Sequence, residues 1–110
     1  MSIQLLCVSH KTADTKIRGL FAFDDDAKAR IMERLISSPY INEAVLLATC
    51  NRTELYCEVR EKTETAVLFM QRVLLEEAGV SENLEIQDAI LRYEEKKAVH
   101  HLFMVAAGLD

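Results

Sequence analysis

The segment AVLLATCNRTELYCEV, residues 44–59, decides the fold. Its two apolar runs, 44–48 and 55–59, flank a short polar stretch, which is typical of two antiparallel strands joined by a tight connection. The second run alternates, so we expect one buried sheet face carrying Cys57 and one wetter face carrying Glu54 and Tyr56. The segment therefore predicts a hairpin at the heart of a sheet.

The polar stretch between the two strands has the composition of a site. Cys50 lies beside Thr49, Asn51 and Arg52, and the polar groups of such residues are usually excluded from a folded core. A cysteine becomes a nucleophile when its pKa is lowered, and Arg52 can favour the thiolate or bind a carboxylate by paired hydrogen bonds. The alternative is that Cys50 is a small apolar residue without chemistry, as most cysteines are.

The rest of the chain supplies the other elements of an α+β domain. Pattern and capping residues predict a central strand at 3–8, helices at 24–37 and 63–78, and a fourth strand at 89–93. Asp24 and Thr63 are the expected helix caps, and Gly79 ends the second helix. The order βαββαβ predicts a ferredoxin-like antiparallel sheet with helices on one face, followed by a C-terminal helix.

Two histidines are candidates for a functional role. The last segment, 94–109, places Ala98 and Leu102 on one helical face, and His101 lies beside that face. A histidine there is more often a packed core residue than a catalyst. His10 follows the first strand in a polar loop and is either an acid–base group or an exposed turn residue. Because the last helix is apolar on nearly all sides, we expect a covering surface outside this chain.

Length, charge and cysteine content narrow the class of protein. The 110 residues fit a single domain, and the formal charge of −5 argues against binding nucleic acid mainly through its phosphates. No signal-peptide pattern and no apolar stretch of about 18 residues occurs, so we expect a cytoplasmic protein without a membrane span. Three cysteines without CxxC spacing argue against a disulfide framework and a zinc site, and no metal is expected.

Three separated motifs together resemble the glutamyl-tRNA reductase family. They are SHKTA at 9–13, ATCNRTELY at 48–56, and HLF followed by VAAGLD within 101–110. They occur in the family's order and spacing and bracket the whole chain. The resemblance covers only the N-terminal catalytic domain of that family, so it implies that residues 1–110 are a truncated chain. Asp14 stands where the family often has proline, which is expected to loosen that turn.

The resemblance implies an oxidoreductase of tetrapyrrole (porphyrin, haem) biosynthesis. In the family's reaction a cysteine thiolate takes the glutamyl group from glutamyl-tRNA as a thioester, and NADPH then reduces it to glutamate-1-semialdehyde. Family partners would be a second copy, as a homodimer of the full-length protein, and glutamate-1-semialdehyde aminomutase. This chain has three glycines and no Gly-rich dinucleotide fingerprint, so NADPH is expected to bind a domain absent here.

The family's functional positions can be carried over residue by residue. They imply that Cys50 is the nucleophile, that Thr49, Asn51 and Arg52 bind substrate, that His101 is an activity-sensitive histidine, and that His10 holds a motif position of less defined role. A positively charged guanidinium at Arg52 suits selection of a glutamate carboxylate.

Two other functions compete with this interpretation. A ferredoxin-like domain can be a non-catalytic small-ligand or regulatory module, in which Cys50 would be unreactive. An RNA-binding sheet that stacks bases is disfavoured, because Tyr56 is the only aromatic residue in the hairpin strands and the chain is acidic.

Overall fold

The structure is a computed structural model that describes residues 2–49 and 51–108. Its elements in chain order are β1 (Ser2–Ser9), α1 (Thr15–Leu20), α2 (Asp25–Ile36), β2 (Ile41–Ala48), β3 (Arg52–Val59), α3 (Thr63–Ala78), α4 (Leu84–Ala89), β4 (Leu91–Glu94) and α5 (Lys96–Ala106). Strands and helices are mixed along the chain without a regular alternation, as in the expected α+β class.

The strands form one four-stranded sheet in the order β2-β3-β1-β4. Each neighbouring pair is antiparallel, and the hairpin of β2 and β3 is present as expected. This is the split βαβ arrangement, so the ferredoxin-like prediction is confirmed. Within the described ranges, no helix is long and apolar enough to cross a bilayer.

Helices α1 to α4 cover one face of the sheet and enclose the main core with it. The strands contribute alternate residues such as Leu6 and Leu55, and Ile31 and Leu35 of α2 recur one turn apart on the covering side. Cys57 also lies in this core, as the alternation predicted. The local patterns therefore place the apolar face of each element correctly.

Two of the three capping expectations hold. The side chain of Asp24 accepts a hydrogen bond from the Ala27 amide at the start of α2, and Gly79 ends α3 in the left-handed conformation. Thr63 is not the cap of α3: it is the first helical residue, and Lys62 precedes it at φ 54° without a side-chain cap.

Asp14 does not loosen its turn. Its side chain accepts a hydrogen bond from the amide of Ile17 and caps α1, so the aspartate stabilises the start of a helix there.

Helix α5 crosses the opposite face of the sheet. The chain turns from β4 into α5 at Glu95, whose φ of 51° is in the left-handed region that L side chains rarely adopt. Ala98 is the buried residue of α5, whereas Leu102 is 40% exposed and Phe103 69% exposed. Leu102 is therefore only partly covered, because α5 contacts the sheet mainly through its first turns.

The expectation of a wetter sheet face on β3 is wrong for Glu54 and Tyr56. Glu54 is fully buried and Tyr56 is 8% exposed. A small second cluster of Leu5, Cys7, Tyr56 and Ala98 forms under α5. This face, called the α5 face below, is where the polar candidates lie.

Candidate functional site

A buried carboxylate is the centre of the α5 face. Tyr56 donates from its hydroxyl to Oε1 of Glu54 over 2.9 Å. Oε2 of Glu54 lies 3.3 Å from Nη1 of Arg52, 3.3 Å from Sγ of Cys7 and 2.5 Å from Nε2 of His101. Burying a carboxylate away from water costs free energy unless several hydrogen-bond donors surround it. These four residues provide such donors. The five residues form what is called here the Glu54 cluster.

The sheet and α5 bring this cluster together from distant parts of the chain. Arg52, Glu54 and Tyr56 are spaced by two on β3 and so share one face. Cys7 is the cross-strand partner of Glu54 in the register of β1 and β3. His101 reaches the same point from α5.

A ring contact fixes the histidine. The ring of Tyr93 on β4 stacks on that of His101, with centroids 5.1 Å apart and planes 20° apart. The His101 side chain is 11% exposed. The imidazole is therefore held in one orientation by a ring on one side and a carboxylate at Nε2, which is how an orienting acid positions an acid–base histidine.

Burial sets the protonation of two neighbouring groups. Burial, reinforced by the hydrogen bond to Glu54, raises the pKa of Tyr56, so its hydroxyl keeps its proton and remains a donor. On the opposite face, burial alone raises the pKa of Cys57 to about 12. Cys57 therefore stays a thiol at neutral pH and behaves as a core residue.

The loop that carries the remaining candidates lies at the end of the hairpin. The amide of Thr49 donates to the carbonyl of Arg52 over 2.8 Å, and the amide of Asn51 lies 3.3 Å from the Thr49 hydroxyl. The amide of His10 donates to the carbonyl of Asn51, which joins the two polar loops side by side. Cys50, the proposed nucleophile, lies outside the described residues.

The structure thus groups the candidates into two neighbouring sets. Thr49, Asn51 and His10 are exposed at the hairpin end. The Arg52 side chain is 12% exposed, and its hydrogen bond to Glu54 links the loop to the cluster that holds His101.

Sequence reasoning missed Glu54, Cys7 and Tyr56 as members of a site. The one local signal was a carboxylate two residues after Arg52 inside an apolar strand. Cys7 gave no signal, because its proximity to Glu54 depends on the register of strands far apart in sequence.

The described residues do not fit a dinucleotide cofactor. The usual fingerprint requires glycines in the turn between a parallel strand and a helix. Here Gly19 lies inside α1, Gly79 ends α3, Gly108 follows α5, and the sheet is antiparallel.

The fold and cluster together define a class: a ferredoxin-like α+β domain in which a polar hairpin end leads through Arg52 to a buried glutamate–histidine pair. Comparison with known proteins makes this specific. The chain belongs to the family described as "Glutamyl-tRNAGlu reductase, N-terminal domain", whose family model matches residues 6–110.

Curated relatives and a solved structure agree with this assignment. The chain is 39% identical over 110 residues to a glutamyl-tRNA reductase of Brevibacillus brevis, covering all of this chain and 24% of that protein. A glutamyl-tRNA reductase of Shewanella frigidimarina is also 39% identical, and 25% of its length is covered. The fold matches a glutamyl-tRNA reductase structure from Methanopyrus kandleri with a TM-score of 0.69 at 24% identity, over 97% of this chain and 22% of that one. The chain therefore spans about a quarter of the length of the curated relatives it matches.

Proposed function

We propose that this chain is the catalytic domain of a glutamyl-tRNA reductase and that Cys50 accepts the glutamyl group of glutamyl-tRNA as a thioester. One observation supports this most: in a chain of this family, the loop containing Cys50 leads directly into Arg52 and the buried pair of Glu54 and His101. A structural core has no need of a buried acid, base and guanidinium in one place.

The acyl transfer follows from ordinary thiol chemistry. The sulfur of Cys50 bonds to the ester carbonyl carbon, and the bond from that carbon to the tRNA ribose oxygen breaks. The thiol proton is transferred to the ribose oxygen, which leaves as a hydroxyl group. A thiolate needs no strong base for this attack, and the role we assign to His101 is to carry the proton. Glu54 is a positioning residue, because it acts through the imidazole.

Substrate selection is assigned to the hairpin end. The guanidinium of Arg52 has five N–H donors, so it can pair with a substrate carboxylate as well as with Glu54. The bond to Glu54 holds the guanidinium in place before substrate arrives, which reduces the ordering cost of binding. Thr49 and Asn51, the sequence neighbours of Cys50, supply exposed polar groups.

Reduction of the thioester requires NADPH, which supplies a hydride when bound. Because the residues described here do not fit that cofactor, we place this step in a part of the protein outside this chain. Glutamyl-tRNA is the proposed substrate, and a homodimer, contact with glutamate-1-semialdehyde aminomutase, and a cytoplasmic location stay predictions.

Intact-protein mass spectrometry with peptide mapping tests the proposal. After the chain is mixed with glutamyl-tRNA, we expect a glutamyl adduct on Cys50 that neutral hydroxylamine removes. Cys57→Ala should keep the adduct, and Cys50→Ser should lose the thioester. An adduct on Cys7, or no adduct together with slow alkylation of Cys50 by iodoacetamide, would contradict the proposal and favour a non-catalytic regulatory module.

A further inference from the structure

We propose that Cys7, Glu54 and His101 form a binding site for one thiophilic divalent cation of the Zn²⁺ class. Sγ of Cys7, a carboxylate oxygen of Glu54 and a ring nitrogen of His101 all lie within 4.8 Å of one another. The three residues come from β1, β3 and α5, which explains why cysteine spacing along the chain predicts no zinc site.

The chemistry of the three donors selects the class of ion. Thiolate, imidazole and carboxylate are the ligands that Zn²⁺ and Co²⁺ accept, whereas Mg²⁺ and Ca²⁺ prefer oxygen alone. Three protein ligands leave a fourth tetrahedral position for water or another small ligand. The site is therefore of the open kind.

The distances are close to those that such an ion requires. Zinc bonds of about 2.0 to 2.3 Å place tetrahedral ligand atoms roughly 3.3 to 3.6 Å apart. Sγ of Cys7 lies 3.3 Å from Oε2 of Glu54 and 4.0 Å from Nε2 of His101. The 2.5 Å separation of Oε2 and Nε2 must widen by about 0.8 Å, and the 4.0 Å separation of Sγ and Nε2 must shorten by about 0.4 Å, for tetrahedral geometry.

The movement that changes these distances falls on α5, the helix that carries His101. Ala98 is the buried residue of α5, so the turn that carries His101 is held mainly by the Tyr93 ring and by Glu54. His101 and Tyr93 also line an open depression through which an ion can reach the site, although Lys96 and Lys97 line it too and their positive charges oppose a cation.

Two neighbouring residues have opposite effects on cation binding. Tyr56 keeps its hydrogen bond to Oε1, which orients the carboxylate so that Oε2 faces the ion. Arg52, 3.3 Å from Oε2, repels a cation. Binding therefore depends on Cys7, whose S–H bond breaks as the sulfur–metal bond forms and whose proton goes to solvent.

A bound cation would hold both Glu54 and His101 and so remove the pair assigned to proton transfer. This consequence rests on the proposed function, and it makes the ion an inhibitor of acyl transfer. Binding itself does not depend on that function and is measured without tRNA.

Titration of the full chain with Co²⁺ alone tests the site. We expect a sulfur-to-cobalt charge-transfer absorption that Zn²⁺ displaces, that persists in Cys50→Ser and Cys57→Ala, and that is absent in Cys7→Ala. A band retained in Cys7→Ala, or lost in Cys50→Ser, would overturn the proposal. Failure of the thioester proposal would leave these spectra unchanged.

A second variant keeps the test decisive if Cys7→Ala does not fold, which circular dichroism would show. His101 is at the rim of the site, so His101→Ala should fold. Loss of this ligand should weaken Co²⁺ binding by at least the roughly 10- to 100-fold that loss of an outer-shell partner costs. Unchanged affinity in His101→Ala would overturn the proposal.

Discussion

The two faces of the sheet bury different kinds of side chain. The face covered by α1 to α4 has an almost wholly apolar core, in which even Cys57 is inert. The α5 face has a small apolar cluster and, next to it, Glu54 with its four polar partners. The comparison teaches that the first face stabilises the domain and that the second face holds a group of polar side chains together, as the proposed acyl transfer would require.

The energetics support this division. Burial of apolar side chains contributes roughly 1.5 to 3 kcal/mol each, so the larger core accounts for most of the stability. A buried acid–base cluster contributes little net stability, because desolvation offsets the attraction between its members. Its presence in so small a domain is therefore better explained by function than by folding.

The largest expected effect on stability comes from the apolar face. Ile31 is fully buried in α2, and Ile31→Ala should lower the free energy of unfolding by about 2 to 5 kcal/mol. Urea unfolding monitored by circular dichroism measures this. At temperatures where the variant stays folded, its rate of acyl transfer to Cys50 should equal that of the wild type. A reduced rate in the folded variant would contradict the claim that the apolar face contributes to stability and not to acyl transfer.

A smaller effect is expected from Tyr56→Phe on the α5 face. The hydroxyl donates to Glu54 over 2.9 Å, and hydrogen bonds to charged groups contribute about 1.5 to 3 kcal/mol. The same unfolding assay measures the loss. Tyr93→Phe makes the same chemical change in the ring that stacks on His101 and should cost less than about 0.5 kcal/mol. Equal costs for the two variants would show that Tyr56 does not support Glu54.

The smallest effect concerns the alkaline side of the stability curve. The folded pKa of Cys57 is raised to about 12, so the folded chain keeps a proton that the unfolded chain releases. Stability from this group is fully present below the unfolded pKa and is lost as pH rises from there towards the folded value, by about 1.4 kcal/mol per pH unit. Urea unfolding between pH 8 and 10 should show a shallower decline in Cys57→Ala, where that proton is absent. Identical slopes would contradict the burial of this thiol.

Local patterns in the sequence predicted most of the fold and only part of the site. The hairpin and the cap at Asp24 were predictable because alternation and capping depend on residues near one another in sequence. The burial of Glu54 was not, since it depends on α5, which joins the sheet some 47 residues later at His101. The cap at Thr63 failed because the chain enters α3 through a left-handed Lys62.

The family motifs singled out Cys50 and His101, which physical reasoning left undecided, and the roles of both residues stay predictions. Both Cys50 and His101 had ordinary structural explanations when considered alone. His101 contacts Glu54 and stacks on Tyr93. Residue spacing along the chain could not predict these two contacts, because they depend on how α5 packs on the sheet.

The most direct test of the α5 face as the site of chemistry is the rate of glutamyl transfer from glutamyl-tRNA to Cys50 in Glu54→Gln, followed by intact mass. Glu77→Gln is the matched control, because Glu77 is a 12% exposed carboxylate that pairs with Arg30 and Arg34 away from the α5 face. We predict a slowing of about 10- to 100-fold in Glu54→Gln, part of the 100- to 10,000-fold that positioned proton transfer contributes. The rate–pH profile should shift as well, Glu54→Asp should recover part of the rate, and Glu77→Gln should leave it unchanged. Equal rates in folded Glu54→Gln and Glu77→Gln would contradict the account and make the Glu54 cluster a structural feature alone.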